Sequence, residues 1–142
     1  MIPTANLIFD TATLVLIWAV QLVIYPGLTY YGHAQLKVWH RSYTKRITLV
    51  VLPLMLGQLA FSIGSVLSEH SYLTTTKLGL IAIIWIMTFS IFVPLHHSID
   101  DADESHTKYI TLKLVKKNWW RTLLWSLVFM LSLYNTVIPD LF

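Results

Sequence analysis

Four stretches of the chain are nearly free of charge, and short polar segments separate them. The first, roughly Asn6–Tyr31, reads NLIFDTATLVLIWAVQLVIYPGLTYY, and the second, Ile47–Leu67, reads ITLVVLPLMLGQLAFSIGSVL. The third, Leu78–Leu95, is LGLIAIIWIMTFSIFVPL, and the fourth, Thr122–Ile138, is TLLWSLVFMLSLYNTVI. A helix crosses hydrocarbon with about 20 mostly apolar residues. With their flanks, all four blocks reach that length. No segment alternates polar and apolar positions as a lipid-facing barrel strand would. The pattern predicts an all-α, four-helix transmembrane bundle, up-down-up-down, in a single domain over residues 1–142. The expected spans are roughly 6–31, 44–68, 74–97 and 115–138.

The polar segments set the expected orientation. Residues 33–46 form a basic amphipathic connection: Leu36, Trp39, Tyr43 and Ile47 share one helical face, and Lys37, Arg41 and Lys45 share another. The segment reads as an extension of the second span at the lipid headgroup level rather than as plain loop. Residues 98–108 form an acidic and histidine-containing connection, expected to be a solvated turn from Asp100 onward. The two connections and their flanks hold Lys37, Arg41, Lys45, Arg46, Lys108, Lys113, Lys116, Lys117 and Arg121, nine of the ten Lys and Arg residues. By the positive-inside rule these connections face the cytoplasm, and both termini lie on the non-cytoplasmic side. Lys77 alone falls on the other side. The first block contains Asp10 and lacks a basic leader, so it reads as a mature helix rather than a cleaved signal.

Composition agrees with the pattern. The chain of 142 residues is 56% hydrophobic and 12% charged, against roughly 25% charged in a soluble domain. There is no cysteine, which excludes disulfides, thiolate nucleophiles and iron–sulfur ligation. The net charge is +3, but the basic residues sit at helix ends rather than on one folded face, so no nucleic-acid partner is expected. The expected surroundings are a lipid bilayer, with the chain as a multi-pass protein of the cytoplasmic (inner) membrane if its source is bacterial.

Polar residues inside apolar spans are costly in lipid and point to function. Gln21 and Tyr25 are four apart on the first span, and Gln58, Ser62 and Ser65 form a stripe on the second. Asn118, Arg121 and Trp125 line one face of the fourth. At the end of the third, Pro94, His97 and Asp101 share a face, with His96 and Asp100 beside it. His33, His40, His96, His97 and His106 gather near the same end. Adjacent histidines on a helix diverge by about 100°, and no HExxH or other strict metal spacing occurs, so no metal is assigned. Haem is less expected still, because no histidine lies deep in a span. A cofactor is left unassigned. The same basic and aromatic residues also fit a plain interfacial belt, with Arg121 and Lys117 snorkelling beside Trp119, Trp120 and Trp125.

VPLHHSI at 93–99, a short polar gap, NWWRTLLWS at 118–126, and YPGL at 25–28 resemble the anthrone-oxygenase-like family of small four-helix integral membrane proteins. Pro94, His96, Asn118 and Arg121 match its pattern, with His96 standing where many members have asparagine. The resemblance implies a cofactor-independent, oxidoreductase-like activity on an aromatic, lipophilic molecule.

Two functions follow as expectations. One is a small redox-type enzyme acting on a lipophilic small molecule at the cytoplasmic end of the bundle. There His96 or His97 accepts a proton, Arg121 stabilises negative charge, and Gln21, Tyr25, His40, Arg46, Asn118 and Trp125 bind the ligand. The other is a non-catalytic accessory or assembly subunit, whose polar residues meet a membrane-complex partner, a second copy of the chain, or lipid headgroups. An internal polar-lined cavity separates the first from the second. A channel fits less well, since four spans lack a carbonyl- or charge-lined path.

Overall fold

The computed structural model describes residues 1–137, which form four helices with no strand among them. We label them α1 (Ile2–Tyr30), α2 (His33–Ser68), α3 (Tyr72–Asp101) and α4 (Glu104–Val137). The first three are long and apolar enough to cross a membrane. α4 has 34 residues, but Asn118, Arg121, Thr122, Ser126, Ser132 and Asn135 dilute its apolar run. Residue 138, the last of the expected fourth span, lies outside the described residues.

The helices alternate in direction. Asp10, Trp18 and Gln21 of α1 meet Ser132, Ser126 and Asn118 of α4 in reverse order. Asn6 and Asp10 likewise meet Ser65 and Gln58 of α2. Gly57 lies where α1 crosses α2: a Cβ there would overlap the Phe9 ring, so the lack of a side chain permits the approach. Gly64 has open space around it and Ala60 is exposed, so the small residues of α2 serve close packing at one point only.

Residues 33–46 are the first turns of α2 itself, the extension of the second span that their helical faces predict, whereas the acidic stretch, expected to be a turn, is helical to Asp101 and again from Glu104. Only Ala102 and Asp103 lie between α3 and α4. Capping explains this. The Asp103 carboxylate accepts from the His106 backbone N–H at 2.9 Å and from the Ser105 hydroxyl at 2.9 Å, satisfying donors that a helix start leaves unpaired. Those bonds, the His106 backbone foremost, hold its carboxyl down at about 2. Ser71 and Thr74 form a capping box at the start of α3.

Two prolines break the helical register in the same way. A five-residue π turn, Val20–Ile24, precedes Tyr25–Pro26, and another, Thr88–Phe92, precedes Val93–Pro94. Proline lacks an N–H and its ring collides with the carbonyl four residues earlier. Here the residue before each proline bonds instead to the carbonyl five residues back: Tyr25 N–H to Val20 and Val93 N–H to Thr88. The extra residue in each turn re-aims the side chains that follow, and such bulges are frequent at functional sites.

Leu22, Val23, Leu49, Leu67, Ile86, Phe89, Leu123 and Met130 are exposed, while Asp10, Gln21, His40, Gln58, Lys77, Asn118 and Arg121 are buried. Apolar outside and polar inside is the arrangement a lipid solvent favours.

Candidate functional site

Buried polar side chains divide into three groups along the bundle. The first ties its far end together. Lys77 donates to Asn6 Oδ1 at 2.9 Å, Asp10 Oδ2 at 3.0 Å and Ser132 Oγ at 2.8 Å. Gln58 Nε2 donates to Asp10 Oδ1 at 2.7 Å and to Thr13 Oγ1 at 3.1 Å, and its Oε1 accepts from Trp125 Nε1 at 3.1 Å. Every helix contributes and the ion pair is fully bonded, so this is a clasp. The cost of intramembrane charge could have exposed Asp10 and Lys77 in the sequence, but 67 positions separate them and nothing local pairs them.

The second group joins α1 to α4. Asn118 Nδ2 donates to Gln21 Oε1 at 2.9 Å, and Gln21 Nε2 donates to the Val115 carbonyl at 3.3 Å. Both residues were expected to bind a ligand. They bind each other, Asn118 Oδ1 stays without a partner, and neither residue lines the cavity beside Arg121.

The third group surrounds a cavity of about 180 Å³ between the helices. Its walls are mostly apolar and aromatic, including Met55, Trp85, Phe89 and Phe92. Tyr25, Tyr43, His96 and Arg121 supply polar groups. Both proline breaks open onto it: Val20 and Tyr25 come from the first, and Thr88, Phe89, Phe92, Val93 and His96 from the second. Without the wider turns Tyr25 and His96 would point elsewhere on their helices.

A hydrogen-bonded row leaves this cavity for the surface. Tyr25 Oη lies 3.0 Å from His96 Nε2, His96 Nδ1 lies 2.8 Å from His40 Nε2, and His40 Nδ1 lies 3.4 Å from Asp100 Oδ1. With neutral rings and an ionised Asp100, one arrangement of protons satisfies all three contacts. An ionised Asp100 only accepts, so His40 Nδ1–H donates to it and His40 Nε2 accepts. His96 Nδ1–H then donates, and Tyr25 O–H donates to His96 Nε2. Asp100 is 27% exposed and also faces Arg41 Nε at 3.6 Å. The row runs from a buried phenol to a partly exposed carboxylate.

Arg121 stands apart from that row. It is 7% exposed, its guanidinium lies 4.1 Å above the Phe92 ring and 5.1 Å from the Trp125 ring, and its Nε has no hydrogen-bond partner. Among the described residues no carboxylate pairs with it. Aromatic faces attract a cation, but they leave its N–H donors unused.

The other expected residues lie elsewhere. His97 is exposed on an open crevice beside the cavity, and Arg46 is exposed and away from it. Trp125 is buried, bonded to Gln58, and reaches the site only through Arg121. Among the described residues no three His, Asp or Glu side chains are grouped to hold a metal ion. The facing nitrogens of His40 and His96 are at hydrogen-bond distance, closer than the roughly 3.3 Å between two imidazole ligands of one tetrahedral ion. Asp100 was read beside His96, and the fold bonds it to His40. Tyr43 was read only as part of an amphipathic face, and its place at the cavity depends on how α2 packs.

Fold and site together describe an all-helical bundle of membrane type, with a small aromatic cavity, a buried cation and an ordered proton row. Compared with family models, curated proteins and solved structures, the chain matches none.

Proposed function

We propose that the chain is a small integral membrane enzyme that removes a proton from a lipophilic molecule and holds the resulting anion. The observation that carries this reading is Arg121, a buried cation with no counter-ion among the described residues, on the wall of a cavity. A bound anion completes it. Charge that develops beside a fixed cation in a water-poor site is stabilised far more than in water.

Tyr25 supplies the matching proton path. A ligand O–H or acidic C–H gives its proton to Tyr25 Oη as Tyr25 passes its own to His96 Nε2. His96 Nδ1–H moves to His40 Nε2, and His40 Nδ1–H moves to Asp100. The net result is a ligand anion at Arg121 and a neutral Asp100 carboxyl at the partly exposed end. The redox class rests on the resemblance of VPLHHSI and NWWRTLLWS to anthrone-oxygenase-like proteins, in which chemistry without a cofactor requires these two services from the protein. The cavity favours this reading over the accessory subunit, which predicts a filled bundle with polar groups turned outward.

Orientation belongs to the same proposal. Lys77 is buried and neutralised by Asp10, so it adds no surface charge at its end. The uneven spread of Lys and Arg therefore supports a site at the cytoplasmic end with both termini opposite.

The test uses 4-nitrophenol and purified protein in lipid nanodiscs. The expected result is one equivalent of bound yellow anion at a pH where the free phenol is protonated. Arg121→Met abolishes it, and Tyr25→Phe keeps binding but slows ionisation by roughly a hundredfold or more. Equal absorbance from empty nanodiscs, or from Arg121→Met, would refute the proposal.

A further inference from the structure

The cavity is not closed on its lipid side. Thr48, Leu52, Phe89 and Val93 all line it and all are exposed on the outer surface of the bundle. They form its mouth, between α2 and α3. A larger crevice of about 570 Å³ continues from this mouth and shares Ile47, Thr48, Val93 and His96 with the cavity. It runs toward Lys45, His97 and Asp100 at the polar end. The two helices meet at His40–His96, and the slot opens above that contact beside the Thr88–Phe92 π turn. One slot thus leads sideways from the apolar surface to Arg121.

The slot selects its ligand by charge and size. A permanent anion crosses hydrocarbon at a cost of several kcal/mol, and a protonated weak acid avoids most of that cost. The groups at the inner end suit such an acid: a row to take its proton and a cation to hold what remains. A dry cavity of about 150 Å³ accommodates benzene, so 180 Å³ takes one ring with small substituents. Anything longer must trail outward between α2 and α3. The walls it meets, Leu52, Phe89 and Val93, are apolar.

We infer that the ligand is a membrane-dissolved weak acid, a phenol or enol with a single-ring head and a hydrocarbon tail, loaded head-first from the bilayer through the α2–α3 slot. This rests on the proposed role of Arg121 and Tyr25 and adds the route and the shape of the molecule. It departs from a multi-ring substrate, whose rings would not fit behind the mouth.

The experiment follows adducts by native mass spectrometry after incubating the protein in nanodiscs with phenol, 4-octylphenol or octyl sulfate. Amounts are matched by concentration in the bilayer. The expected result is 4-octylphenol bound one to one and roughly tenfold more tightly than phenol, with octyl sulfate excluded. Leu52→Trp, which fills the mouth from a lipid-facing position, weakens 4-octylphenol by roughly tenfold, so that the advantage of the tail over phenol is lost. Thr48→Trp repeats the test from the next turn, should Leu52→Trp fail to fold. Octyl sulfate binding as well as 4-octylphenol, no advantage from the tail, or no effect of either folded tryptophan variant would overturn the inference. The two proposals fail separately. Bound 4-octylphenol that is never ionised leaves the slot intact and removes the acid–base function. A 4-nitrophenol anion at Arg121 with 4-octylphenol excluded does the reverse.

Discussion

Taking a guanidinium out of water costs several kcal/mol after relaxation, and a buried carboxylate ordinarily offsets part of that. Arg121 has Phe92 and Trp125 rings instead, and its Nε remains unbonded. A residue that holds the fold together would not be left in this state. Arg121→Met keeps the stem and removes the charge, so the empty protein should gain about 1–4 kcal/mol of resistance to unfolding while losing its ligand. Denaturant unfolding in one detergent checks this. A large loss of stability would make the cation–ring stack structural. The polar character of Arg121, Tyr25, His40 and His96 was legible in the sequence, because each interrupts an apolar or amphipathic pattern. Their partners were not. His97 looks as promising as His96 on paper, yet about 100° of helical rotation puts it outside. Asn118 was equally attractive, and the fold uses it on Gln21.

At the scale of elements, the two π-turn and proline breaks do what regular helices could not. They bend α1 and α3 around one cavity and turn Tyr25 and His96 toward it. Pro94→Ala restores an N–H at the break, so α-helical bonding can resume and the extra residue of the π turn is lost. His96 then rotates away from His40, whose Nε2 now lies 2.8 Å from it. The expected outcome is a folded protein, at least as stable as the parent, with proton transfer reduced by roughly a hundredfold or more. Helix content by circular dichroism and 4-nitrophenol ionisation measure the two halves of this statement. An unchanged ionisation rate would show that the break does not aim the histidine. Prolines are visible in any sequence, and kinks near 26 and 94 follow from them directly. The five-residue bonding pattern does not, because a proline kink can be relieved in several ways and packing chooses among them.

Across the whole molecule, the ionic clasp and the cavity with its hydrogen-bonded row lie at different levels of the bundle, joined through Trp125, which bonds Gln58 and stacks on Arg121. The Asp10–Lys77 clasp draws on all four helices, and its charges are mutually satisfied. Lipid offers helices little hydrophobic reason to associate, so packing and such polar contacts carry the assembly. Asp10→Asn and Lys77→Met each leave one charge or donor unmatched and should each destabilise by about 3–5 kcal/mol. The Asp10→Asn/Lys77→Met pair should cost clearly less than the sum. A double-mutant cycle read by denaturant unfolding tests it. Additive losses would mean that the two residues act independently.

Hydrophobic periodicity alone was enough for an all-helical chain of membrane type. It placed four apolar blocks, their alternation and the basic bias of one end, because lipid imposes length and polarity on each segment separately. It also singled out many of the polar side chains that the fold buries, among them Gln21, His40, Gln58, Asn118 and Arg121, since every polar group in a span must answer for its desolvation. Which of those groups face one another was decided only when four helices packed. Pairing depends on rotations of a few tens of degrees and on contacts across 45 to 122 positions of chain. Tertiary structure therefore sorted the same polar inventory into a clasp, a helix joint and an open site. It left Arg121, alone among the buried charges, without a protein partner among the described residues.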